Sequence, residues 1–320
     1  MKKILILAAM ACMASCQNTT TKTPAIDMTN LDLTVAPNAD FYQYATGGWQ
    51  AKNPLKPEYS RYGSFDVLRE NNEKRINALF SEMTRMETAA GSVEQKIADL
   101  YKMGLDSVRL NAEGAAPIKA RVGELLAIKA RSQLTDAIAR LHMTVANPFF
   151  GIGVEPDLMN SNVNALYASQ SGLTMGDRDY YLTPENEHIR TAYKEYLGRI
   201  FRLAGVPEAD IEKAVAGVME IETQLAEKSW SNVELRNIPA MYNPMSKADF
   251  EKAYDAIDWA TYYREMGIGD FDTIIVTTPS AVANANEVLK KAPLENIRYY
   301  LAAQYIDAAA SYLGDDFIGA

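Results

Sequence analysis

Histidine and cysteine are almost absent from these 320 residues, with two of each. His142 is followed by Met143 and His188 by Ile189, so neither opens the H-E-x-x-H helix that holds a hydrolytic zinc. The two histidines are also too far apart in sequence to form a local ligand pair. Cys12 and Cys16 both fall near the start, so the remaining chain has no thiol and no disulfide. A closed Cys/His zinc site is thereby excluded from it. There is no G-x-S-x-G nucleophile elbow and no P-loop. Gly151-Ile152-Gly153 lacks the third glycine of a dinucleotide fingerprint. Positive charge is in deficit, with 32 Lys and Arg against 41 Asp and Glu and a net charge of −9. A broad basic surface for nucleic acid is therefore not expected, and no nucleic-acid partner is assigned. No apolar run reaches the ~18 residues of a membrane span.

What is present begins with an address. Lys2 and Lys3 precede the apolar stretch Ile4–Ala11, the layout of a secretory signal. Met13-Ala14-Ser15-Cys16 then resembles a bacterial lipobox. The expectation is a signal peptide over 1–15 and lipidation at Cys16. A flexible tether rich in Thr, Asn, Ala and Pro would run to residue 37. Such a protein is exported and held at a membrane of the bacterial cell envelope by lipid alone.

Beyond residue 38 the periodicity is helical. Apolar composition of 48% against 23% charge supports a packed core. Phe65, Leu68, Ile76, Leu79, Phe80 and Met83 recur at helical spacing, with Ser64 as cap and Asp66 in the first turn. Segments 92–104 and 131–146 repeat the theme. Phe149–Val154 and Val163–Ala168 flank a polar turn and read as a β-hairpin. Thr183-Pro184-Glu185 signals a helix start, with Thr183 as the capping hydroxyl. Helices are expected over about 184–204 and 208–229, a short strand at 273–278, then helices over 279–291 and 294–313. The fold class is mainly α with a minor β-hairpin. His142, on a stripe with Leu134, Ile138 and Leu141, reads as a core residue, and His188 as solvated.

One segment is distinctive: Asp40-Phe41-Tyr42-Gln43-Tyr44-Ala45-Thr46-Gly47-Gly48-Trp49, followed by Arg61-Tyr62-Gly63-Ser64-Phe65-Asp66. Here the chain resembles the N-terminal region of the neprilysin-like (M13) zinc metallopeptidases. The likeness continues through Gly172–Leu182, Asn232–Arg236, Met241–Pro244 and Leu294–Leu313. Gly176 stands where a proline is usual, and Asn237 where an acid is typical.

The resemblance implies a multihelical N-terminal lobe over residues 38–320 that encloses peptide substrates. It implies zinc in the full-length enzyme, held by two His and one Glu of the C-terminal half. That half is missing here, so this chain alone is expected to bind no metal, carry no catalytic residue and be inactive. Its expected partners are peptides, the missing catalytic half and the membrane. The resemblance also assigns substrate binding to Arg61, whose guanidinium can grip a peptide's terminal carboxylate, with Asp66 orienting it. Phe41, Tyr42, Tyr44, Trp49 and Tyr62 read as packing, Arg178 as ion-paired to its flanking acids, and Asn243 as bonded to backbone. The chain is read as a truncated product or partial sequence. The alternatives are a non-catalytic lipid-anchored peptide-binding module and an interaction lipoprotein.

Overall fold

The computed structural model describes residues 25–57, 59–144 and 146–320. Cys16 and the signal segment lie outside them. The chain divides into two compact units, Met1–Tyr101 and Lys102–Ala320.

In the first unit, helix α1 (Phe41–Lys52) starts at Asp40, whose carboxylate accepts the Gln43 N–H at 2.9 Å. Residues 27–34, read from sequence as tether, are folded instead. Asp27 caps a turn at Met28–Asn30, and Asp32 accepts from Gln43 Nε2 at 3.0 Å. The crossing explains Gly47-Gly48: a Cβ at Gly48 would meet the Thr29 carbonyl at 2.5 Å, and one at Gly47 would meet Asp32 at 2.7 Å. Helix α2 (Ser64–Met83) is capped at Gly63, not at Ser64. Asp66 Oδ2 accepts the Gly63 N–H at 2.8 Å, so the acid three residues on supplies the cap. α2 buries no residue, and Phe65 is 85% exposed. Its C-terminal end packs Phe80 edge-on against Tyr101 of α3 (Val93–Leu105), at 5.6 Å between centroids.

The second unit holds the core. Helices α4 (Ser107–Glu113), α5 (Ala116–Leu126) and α6 (Leu134–His142) lead into strands β1 (Phe150–Pro156) and β2 (Asn164–Gln170). The α6 stripe of Leu134, Ile138 and Leu141 is buried, as its periodicity demands. Short α7 (Asp179–Leu182), α8 (Glu187–Leu203) and α9 (Glu208–Ala226) follow. Thr183 does not cap α8; its hydroxyl donates to the Asp179 carbonyl at 2.6 Å, and a short 3-10 turn at Pro184–Asn186 intervenes. Then come β3 (Pro244–Ser246), α10 (Lys247–Ala253), α11 (Trp259–Met266), β4 (Thr273–Val276), α12 (Pro279–Lys291), α13 (Leu294–Ala310) and α14 (Asp315–Ile318). α13 is the central helix. Ile297, Tyr300, Leu301 and Ile306 are buried around it, and it packs on α5, α8 and α9.

The expected hairpin is part of a four-stranded sheet of order β1-β2-β4-β3. β1 and β2 pair antiparallel from Phe150↔Gln170 to Pro156↔Asn164. β2 and β4 run parallel with Leu166 opposite Ile274, and β3 pairs antiparallel with β4. β4 is interior, and Ile274, Ile275 and Val276 are wholly buried, which is why it reads as a continuous apolar run. β3 escaped sequence reading because three residues, one of them proline, carry no period.

The sheet joins the helices at a strained corner. Phe149 is buried with φ of 68°, the left-handed region that costs a bulky side chain most. Tyr300 fixes it: the hydroxyl accepts the Phe149 N–H at 3.0 Å and donates to the Gly172 carbonyl at 2.9 Å.

Candidate functional site

The segment that carries Arg61 is built from aromatic rings around one acid. Trp49 of α1 stacks on Tyr62 at 6.1 Å, and Tyr59 meets Tyr62 edge-on at 5.1 Å. Glu70 of α2 ties them together. It pairs with Lys56 Nζ at 2.6 Å and accepts from the hydroxyls of Tyr59 and Tyr62, each at 3.1 Å. Lys56 lies 5.1 Å from the Tyr62 ring centroid, close enough for cation–π attraction. The Lys56 hydrogen bond and the two tyrosine hydroxyls hold the Glu70 carboxyl down at about 2, so it stays charged through neutral pH. Glu70 was missed in the sequence reading. It lies one helical turn beyond Asp66, but its partners Lys56, Tyr59 and Tyr62 are brought to it only by the fold.

Arg61 projects from this frame and is exposed. It lines a hollow of about 590 Å³ with Tyr42, Trp49, Gln50, Leu55 and Tyr62. It also borders a second hollow of about 380 Å³ beside Ser64, Phe65 and Asp66. Asp66 does not orient it. That carboxylate is committed to the Gly63 N–H and to Arg69 Nη2 at 3.4 Å. The helix-start role of Asp66 thus outcompetes the role expected of it. Among the described residues no ion pair joins Arg61 to an acid. Of the aromatics read as packing, Trp49 and Tyr62 do pack, whereas Phe41 and Tyr42 are 69% and 70% exposed.

The remaining candidates are structural. His142 is buried, with Nδ1 2.5 Å from the Tyr262 hydroxyl and Nε2 3.1 Å from the Pro148 carbonyl. Burial pulls its pKa down to about 4, so it is neutral, and both ring nitrogens are occupied. His188 is exposed, with Nδ1 3.1 Å from the Glu185 carbonyl. Arg178 is not paired with its flanking acids; Nη1 donates to the Ser229 carbonyl at 2.8 Å, just beyond the end of α9. Asn243 bonds backbone as expected, donating to Ala240 and Val276 carbonyls at 2.8 and 3.0 Å. Among the described residues, no three of His, Cys, Asp and Glu are grouped to hold a metal ion. The described residues therefore do not fit a zinc site.

The first unit thus presents an arginine on an aromatic hollow, and the second a helical core with a small mixed sheet. Residues 37–320 match the model of Peptidase family M13 in its N-terminal part, and the chain belongs to that family. It is 26% identical over 303 residues to endothelin-converting enzyme 1 of Rattus norvegicus, covering 91% of this chain and 39% of that protein. It is 22% identical over 293 residues to a neutral endopeptidase of Lactobacillus helveticus, covering 91% and 45%. The fold matches an inhibitor-bound zinc metalloprotease of Mycobacterium tuberculosis with a TM-score of 0.84 at 22% identity, over 92% of this chain and 45% of that one. PEPO from Lactobacillus rhamnosis gives 0.74 at 21% identity, over 89% and 45%. The chain spans less than half the length of these relatives.

Proposed function

We propose that this chain is the N-terminal, substrate-enclosing part of a zinc metalloendopeptidase, and that the chain by itself does not cleave peptides. The observation that carries this reading is the match of residues 37–320 to the N-terminal family model, in a sequence with only two histidines. Hydrolysis then depends on the part of the relatives that has no counterpart here. Zinc, when bound there, supplies a nucleophilic water. This chain contributes the wall that receives the peptide. Arg61 is the residue proposed to grip it, because a planar guanidinium forms two parallel bonds to a carboxylate and the adjoining hollow offers Trp49 and Tyr62 to apolar side chains. Asp66 contributes to substrate binding only indirectly, by fixing the start of α2 just after Tyr62.

Arg61→Ala in a zinc-loaded enzyme is expected to weaken free-acid peptides by roughly 10–100-fold, the worth of a charge-assisted pair. Amidated peptides should change little, and zinc content not at all. Equal losses for both peptide forms would remove Arg61 from this role. Sequencing the DNA beyond codon 320 tests the wider reading. A frame that continues into H-E-x-x-H supports it; a stop codon with stable expression favours the lipid-anchored peptide-binding module.

The anchor is part of the same proposal. Cys16, outside the described residues, is proposed to carry lipid and hold the protein at the cell envelope. Cys16→Ala should move the protein out of the membrane fraction or leave its signal uncleaved. Unchanged partition, with no lipid label on the parent protein, would sink the idea.

A further inference from the structure

Beneath the Gly172–Leu182 segment lies Glu222 of α9, fully buried and facing no cation among the described residues. Its partners are neutral. Oε1 accepts from Thr174 Oγ1 at 2.8 Å, from Gln304 Nε2 at 3.1 Å and from the Tyr193 hydroxyl at 3.1 Å. Oε2 accepts from the Tyr181 hydroxyl at 2.7 Å, and that same hydroxyl accepts the Met175 N–H at 3.0 Å. Thr174, Met175 and Tyr181 therefore share one carboxyl group, while Tyr300 holds the Gly172 carbonyl and Arg178 ties the middle of the segment to the Ser229 carbonyl. The segment is also a wall. With Ser171, Gln304 and Asp307, residues 172–174 line a polar hollow of about 460 Å³.

α7 faces Glu222 with Tyr181, α8 with Tyr193, and α13 with Gln304 and Tyr300. The polar contact of α12 with α9 is Asn284 Nδ2 on the Gln224 carbonyl, which bears no charge. On α9 itself, Glu220 is turned to Gln224 and Asn296, and Lys213 to Glu295. Burial drives Tyr181, Tyr193 and Tyr300 far above the usual phenol range, so all three stay neutral. Only Glu222 in this cluster is left to change charge in the neutral range.

We propose that Glu222 is a proton-operated latch: protonated it holds Thr174, Met175 and Tyr181 against α9 beside the hollow, and ionised it lets these attachments open to water while Gly172 stays fixed at its corner. Any opening that admits water to the carboxyl returns it to an ordinary carboxylate environment. Burial outweighs the four donors and pushes its pKa up to about 7 in the closed state. A carboxyl raised on closing binds its proton more tightly when closed. The closed state is thus favoured below the ordinary carboxylate range, and that advantage is lost as pH rises through about 7.

Hydrogen exchange at the Thr174 and Met175 amides, corrected for intrinsic chemistry, reads the latch directly. From about pH 5 to about pH 8 protection should fall by roughly 10–100-fold, following the change in bound protons. In Glu222→Gln, which keeps size but cannot ionise, protection should be flat with pH. Should that variant fail to fold, Tyr193→Phe removes one donor to the ionised form, and the midpoint of the wild-type profile should then move upward. A purely structural role for Glu222 would lower protection equally at every pH. A flat wild-type profile, the same slope in Glu222→Gln, or an unmoved midpoint in Tyr193→Phe would each overturn the proposal.

Discussion

The 320-residue chain, purified alone, is expected to carry no stoichiometric zinc and to leave peptides intact. Peptide hydrolysis near neutral pH needs a metal-activated water, and a catalytic zinc needs three protein ligands held in fixed geometry. Of the two histidines here, His142 has both ring nitrogens engaged in the core and His188 stands alone on the surface. Scattered carboxylates bind zinc only weakly without such preorganisation. Joining the C-terminal half of a compatible family member, fused or in trans, should bring metal and activity together. The expected gain spans the whole catalytic acceleration, about 10⁶-fold or more over the uncatalysed reaction. Metal analysis and a chelator-sensitive peptide assay provide the test. Cleavage by the isolated chain, surviving repeated repurification and abolished by chelator, would refute the inactive-lobe reading.

Replacing Gly172 should unfold the second unit far more readily than replacing Gly176. Both have positive φ, 87° and 82°. Either alanine pays about 1–2 kcal/mol for left-handed backbone. At Gly176 nothing lies within 4 Å of the new methyl, so the cost ends there. At Gly172 the methyl would meet the Tyr300 hydroxyl at 2.1 Å and the Phe149 nitrogen at 2.6 Å. Those atoms belong to the strained corner and cannot retreat, because Tyr300 and Phe149 are wholly enclosed. Overpacking adds about 1–3 kcal/mol, and the displaced hydroxyl strands two backbone groups it now serves. A total of about 3–6 kcal/mol is expected, lowering Tm by roughly 5–20 °C for a unit of this size. Urea melts of the two variants decide it. Equal midpoints would show that the corner yields, and that its close packing contributes little.

The helices of the second unit were legible wherever burial is one-sided. Leu134, Ile138 and Leu141 announce α6 because a single face meets the core, and Pro279 and Pro293 mark where α12 and α13 begin. α2 shows the limit of that logic. Its apolar spacing is helical, yet Phe65 and Leu68 lie exposed, so periodicity identified the helix without identifying what it packs on. Capping was misassigned at Ser64 and Thr183 because a hydroxyl near a helix start has several backbone partners in reach. Gly63 with Asp66, and Asp179 with Thr183, are settled by geometry that spacing does not encode. At the candidate site the motif singles out Arg61, whose grip on substrate is a proposal. Glu70 was not legible, because the residues it joins, Lys56, Tyr59 and Tyr62, converge only when the loop before α2 folds back. Glu222 was silent for a related reason. A lone acid among apolar residues of α9 acquires its meaning from Thr174, Tyr181, Tyr193 and Gln304, none of them near it in the chain.

The order of strands in the sheet sets a schedule for folding. β1 and β2 are joined by a short turn and can zip as a hairpin in microseconds, as local pairs do. β4 has to wait: Thr277, just past its end, bonds the Ala168 carbonyl of β2 across 109 residues of chain. Loop-closure entropy delays such a parallel pairing until the intervening helices have collapsed. Until β4 arrives, the inner edge of β2 presents unpaired N–H and C=O groups beside Leu166 and Ala168, both destined for burial. β1 is guarded differently, since its outer edge carries Glu155 and ends in Pro156, which discourage another strand from adding there. The vulnerable interval in the life of this chain is therefore the time between hairpin formation and the arrival of β4. An emerging or refolding chain is most prone to pair with another copy then, through β2 rather than β1.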